Sequence, residues 1–186
     1  MVKIEKINSL CKGKYLELKE VFFELDGVKK RWEVCNSLNS VAILIYDVDL
    51  DSIILVKQFR MPLYLKNSNG YAYELCAGLC DKDKPNITIA KEEILEECGY
   101  DVDESKIEFI TSTWGSVGNQ ASKQDVFYVE VNQKEKVSSG GGIDDEKIEV
   151  IELKREKVEE FIFSDVALTP GAKFALMWWI HYKAKN

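Results

Sequence analysis

Four carboxylates fall within six residues of this chain: Glu92, Glu93, Glu96 and Glu97. On a helix, Glu93 precedes Glu96 by three residues and Glu97 by four, so these three project to one side. Like charges so placed repel by roughly 0.2–0.5 kcal/mol per exposed pair. They also crowd the C-terminal half of the segment, where the helix dipole disfavours negative charge. Two explanations compete: a solvated acidic face, or a site for a divalent cation that offsets the repulsion. Oxygen donors of this kind suit Mg2+ or Mn2+. Rival chemistries are poorly supplied. The single histidine, His181, lies near the C-terminus in an apolar and aromatic stretch, which argues against His-based triads, Cys–His dyads and His-liganded zinc. Cys11, Cys35, Cys76, Cys80 and Cys98 are odd in number and include no Cys-x-x-Cys pair, so free thiols in a reducing cytoplasm are expected.

The elements around the cluster can be read from hydrophobic periodicity. Ile87, Ala90, Ile94 and Cys98 line one side of a helix that Gly99 stops. Tyr15–Leu25 and Val28–Val34 alternate as strands around an Asp26-Gly27 hairpin turn. Val41–Tyr46 is continuously apolar, as a strand covered on both faces should be. Further strands are expected over Ser52–Phe59, Tyr71–Cys76, 107–113, 125–131 and 147–153, with helices over 155–163 and 170–184. Lys66–Gly70 reads as a loop, and the glycines of Ser138–Gly142 as a flexible one. Strands and helices mix without regular alternation, so the class is α+β. A chain of 186 residues suits one domain with a small terminal extension. Its net charge of −7 gives it no diffuse attraction for phosphate backbones, so no nucleic-acid partner is expected. The longest apolar stretch, Phe174–Ile180, is too short to cross a bilayer, and no secretory leader is evident, so a cytoplasmic protein with no membrane contact is expected.

The spacing Gly78-x5-Lys84-x7-Glu92-Glu93-Ile94-x-Glu96-Glu97-x-Gly99-Tyr100 resembles the Nudix box. Gly78, Glu93, Ile94, Glu96, Glu97, Gly99 and Tyr100 fall in register, which favours the cation site over the solvated face. Two positions depart from the pattern. Lys84 stands where the family has Glu, in a segment expected to be a variable loop. Glu92 stands where the family has an Arg that helps orient the glutamates, and nothing in the sequence accounts for this. Lys91, rotated about 100° around the helix, is a poor substitute. Outside the box, Tyr73–Leu79 is similar to a segment of the ADP-ribose and UDP-glucose pyrophosphatases. Leu55–Pro62, Trp114–Gln124 and Gly142–Ile148 resemble further segments of that branch.

The resemblance implies a Nudix α-β-α sandwich with a mixed sheet over residues 39–186. Residues 1–38 would form a small antiparallel β region that builds a homodimer and clamps the substrate base. It implies Mg2+-dependent hydrolysis of a nucleoside diphosphate sugar to a nucleoside monophosphate and a sugar phosphate, with Mn2+ as an alternative ion. By the same resemblance Glu93, Glu97 and the Ala77 carbonyl would hold metal, and Glu96 would support them. Arg60 would meet the diphosphate, with Glu74 also on the substrate side, and Tyr15 and Trp32 would frame the base. Glu146 would be the general base, with Asp144, Asp145 or a box glutamate as alternatives. Two other functions stay open: a Nudix hydrolase of nucleoside triphosphates or dinucleotides, and a nucleotide-sugar sensor that does not hydrolyse.

Overall fold

The structure is a computed structural model that describes residues 1–14, 16–143 and 146–184. The chain divides into two compact units, Met1–Asn39 with Trp114–Gln124, and Ser40–Thr113 with Asp125–Asn186.

In the first unit, β1 (Val2–Lys12), β2 (Glu17–Leu25) and β3 (Val28–Asn36) form an antiparallel sheet in the order β1-β2-β3. The hairpin turn falls at Asp26 and Gly27, whose φ angles of 51° and 82° give the positive pair that a two-residue turn of right-handed twist requires. The expected division at residue 38 did not assign Trp114–Gln124 to this unit. Hydrogen bonds hold it there: Cys35 N to Asn119 O at 2.7 Å, Trp32 Nε1 to Gly118 O at 2.7 Å, and Lys123 N to Asn39 Oδ1 at 3.0 Å.

The second unit is built on a mixed seven-stranded sheet. Its strands are β4 (Ser40–Asp47), β5 (Ser52–Phe59), β6 (Tyr71–Glu74), β7 (Cys76–Leu79), β8 (Glu108–Gly115), β9 (Ser122–Val131) and β10 (Ile148–Lys154). The main path runs β10-β5-β4-β9-β8, with β6 on β5 and β7 on β4. The helices are α1 (Met61–Asn67), α2 (Asn86–Cys98), α3 (Val158–Ile162) and α4 (Pro170–Tyr182). Strand alternation distributes the core between two helical layers. Val41, Ile43 and Ile45 pack with Ile89, Ala90 and Ile94 of α2, while Ala42, Leu44 and Tyr46 pack with Ala172, Leu176 and Trp179 of α4. That is why Val41–Tyr46 is apolar at every position.

Two elements differ from expectation in ways that matter below. α1 is short, with Pro62 in its first turn, and occupies a stretch with no helical periodicity. The strand expected over Tyr71–Cys76 is two strands, because the chain changes partner at Leu75. Before it Glu74 sits opposite Val56 of β5, and after it Cys76 sits opposite Ile43 of β4. Among the described residues, no helix is long and apolar enough to cross a membrane.

Candidate active site

The box glutamates lie on α2, whose apolar side (Ile89, Ala90, Ile94, Cys98) is buried against the sheet. This turns Glu93 and Glu97 toward β7. Glu97 is only 6% exposed, and its Oε2 accepts a hydrogen bond from the Ala77 N–H at 2.9 Å. Glu93 lies flat on Gly78: a Cβ added there would stand 2.0 Å from Glu93 Oε1. The glycine is thus a cradle that any side chain would fill.

Burial drives both carboxyls up to about 7. Glu96 and Glu146 push Glu93 in the same direction, and Glu93 and Glu146 push Glu97, whereas the Ala77 amide opposes the rise at Glu97. Lys82 opposes the rise at Glu93 without cancelling it. Among the described residues no three His, Cys, Asp or Glu side chains are gathered into a ready-made metal site. The chemistry of the donor set still fits a hard dication, with one buried and one half-buried carboxylate, mutually repelling, beside the backbone of Ala77 and Gly78.

Arg60 follows the last residue of β5 and precedes α1. Its Nε and Nη2 donate to the two carboxylate oxygens of Glu74, each at 2.8 Å. The partner switch at Leu75 makes this possible, since it leaves Glu74 on β5's flank while delivering Ala77 and Gly78 to α2. The fork expected to face a diphosphate is therefore engaged with Glu74, and Arg60 is left half exposed with its Nη1 side free of that pair. Glu97 and Glu146 add to the field that keeps Arg60 charged, after Glu74 itself. Arg60, Glu74, Glu93, Glu97 and Glu146 thus share one electrostatic neighbourhood. Trp32 belongs to the first unit, where it is 52% exposed. Tyr15, Asp144 and Asp145 lie outside the described residues.

A uridine diphosphate glucose pyrophosphatase of Bos taurus, NUDT14, is 31% identical to the chain over an alignment 210 positions long, covering 94% of this chain and 95% of that one. The chain belongs to the Nudix hydrolases. A second Nudix relative, the GDP-mannose pyrophosphatase of Salmonella typhimurium, is 33% identical over 163 residues, or 84% of each chain. The fold matches the crystal structure of an ADP compounds hydrolase with a TM-score of 0.78 at 15% identity, over 98% of this chain and 96% of that one. No family model matches the chain.

Several residues that support the Nudix box were not evident from the sequence. Glu92 is paired with two lysines of the preceding loop, Lys84 and, at 3.2 Å, Lys82. Lys84 was expected to be incidental and is not. Lys91 points elsewhere, 3.9 Å from Asp101. The acidic C-terminus of α2 is neutralised from outside the helix: Lys136 Nζ donates to Cys98 O at 2.6 Å. The Gly141 and Gly142 amides donate to Glu97 O at 2.9 Å and Glu96 O at 3.1 Å. The glycines are therefore a close-packed cap, not the flexible loop expected. A Cβ on Gly140, at φ 69°, would meet Glu97 O at 2.2 Å. Composition alone does not separate a linker from a close approach, since both call for glycine.

Proposed function

We propose that the protein hydrolyses the diphosphate bond of nucleoside diphosphate sugars, releasing a nucleoside monophosphate and a sugar phosphate. The observation that carries this is the placement of Glu93 and Glu97 on the Ala77–Gly78 backbone beside the Arg60–Glu74 pair. It is supported by two relatives that carry the names of a UDP-glucose and a GDP-mannose pyrophosphatase.

In this assignment Glu93, Glu97 and the Ala77 carbonyl hold Mg2+ or Mn2+, with Glu96 in support. When bound, the ion shields the diphosphate's charge and acidifies water. Glu74 fixes the guanidinium plane of Arg60, whose free edge meets a phosphate oxygen. Glu146 lies on the loop beyond the glycine cap, where its N–H donates to Ile143 O at 3.1 Å. It takes the proton of the attacking water. Trp32, its indole N–H anchored on Gly118 O, offers an exposed ring for stacking on the base, with Tyr15 as its companion. The first unit is also the proposed surface of a homodimer. The cytoplasm is the proposed location.

The test is a Mg2+-supported hydrolysis screen with UDP-glucose, GDP-mannose, ADP-ribose, a dinucleotide and a nucleoside triphosphate. Monophosphate release from one or more of the first three is expected. Preference for the last two, or binding without release, would overturn the proposal.

A further inference from the structure

The two departures from the Nudix pattern occur at positions 84 and 92, and these two side chains are partners. The pattern places Glu on the loop and Arg on the helix. This chain places Lys84 on the loop and Glu92 on the helix. The signs are exchanged while the pair's total charge is kept. We propose that Lys84 and Glu92 are a charge-reversed positioning pair that fixes the loop on α2 and so sets how Glu93 lies on Gly78.

The chain path supplies the reason. β7 carries Gly78, the loop over 80–85 carries Lys82 and Lys84, and α2 begins at Asn86. Along the chain, this loop leads directly from the cradle to the helix that bears Glu93. Two lysines closing on the carboxylate next to Glu93 anchor that connection at mid-helix. Lys82 is 43% exposed, Lys84 44% and Glu92 28%, and exposed ion pairs add little to global stability. Their worth is geometric: they keep β7 and α2 in the register at which Glu93 meets a glycine. Lys82 also brings a cation toward Glu93 and Glu96, whose fields, after that of Glu92, act on it. Positive charge that the pattern supplies from the helix arrives here from the loop. Glu92 is thereby a reason to expect an intact site, not a degraded one.

This inference rests on the metal-dependent function proposed above, and its test separates the two. The wild type, Lys84→Glu, Glu92→Arg and the double variant are titrated with Mn2+ by calorimetry, and their melting temperatures are recorded in EDTA. Each single variant is expected to bind Mn2+ about tenfold more weakly, the usual scale for groups that orient metal ligands. Glu92→Arg should be the worse, because it confronts Lys82 as well. The double variant should recover to within about threefold of wild type, while melting temperatures change little. Four equal affinities, or a double variant no better than the weaker single, would overturn the pairing alone. A wild type that binds no Mn2+ would overturn the metal-dependent function and this inference with it. Lys84→Met and Glu92→Gln carry the same comparison if a reversed charge prevents folding.

Discussion

Replacing Gly78 with alanine separates the proposed metal site from the fold that would carry it. A Cβ at this position stands 2.0 Å from Glu93 Oε1, 2.2 Å from its Cδ and 2.5 Å from its Cγ. Ordinary contact begins near 3.4 Å, so the carboxylate must retreat by about 1.4 Å. What yields is the far end of a flexible side chain. Gly78 also lies outside the left-handed region, so alanine strains no backbone there. Folding stability should therefore stay within about 1 kcal/mol of wild type, since alanine in a strand costs no more conformational entropy than glycine. Catalysis should fall steeply: a misplacement of roughly 1 Å at a reacting centre costs on the order of a hundredfold. The assay is Mg2+-dependent monophosphate release, with a Mn2+ titration and a melting curve on the same preparation. Wild-type affinity and turnover in Gly78→Ala would show that Glu93 is not a ligand in the position described.

Glu97→Gln keeps an acceptor for the Ala77 amide but removes the charge, so turnover should fall by about a hundredfold or more with the fold intact; near-normal activity would refute its assignment. In EDTA, the folded pKa of about 7 at Glu97 lies above the ordinary value of 4.5. The folded chain therefore binds the proton more tightly. Its stability contribution is full below about 4.5 and is lost as pH rises through 7, on the order of 3 kcal/mol. Melting temperatures in EDTA should fall over that window and Mg2+ should restore them most at pH 8, whereas a flat profile would contradict the burial argument. Trp32→Ala should raise KM with little change in kcat; a fall in kcat alone would refute its place beside the base.

The box was legible because it is local: the three glutamates and Gly99 are set by one helix, and helical spacing is visible in sequence. The two-sided strand Val41–Tyr46 was legible for a similar reason, since alternation fails only where both faces are covered. The Arg60–Glu74 pair was not, because it depends on the strand partner changing at Leu75, a long-range event with no local marker. The roles of Lys84 and Ser138–Gly142 were hidden differently. A lysine and a run of glycines have several uses each, and only the neighbour on α2 selects among them.

The amides spent on α2 have a mechanical consequence. Residues 137–142 are bonded to the end of the helix and its cap at four points, through Val137 and Ser138 on Gly99 and through Gly141 and Gly142 on Glu97 and Glu96. Helix end and strap are therefore tied into one hydrogen-bonded piece. A shift of α2 on binding the proposed ion would carry with it the strap, which leads to Ile143, the residue whose carbonyl accepts the Glu146 N–H at 3.1 Å.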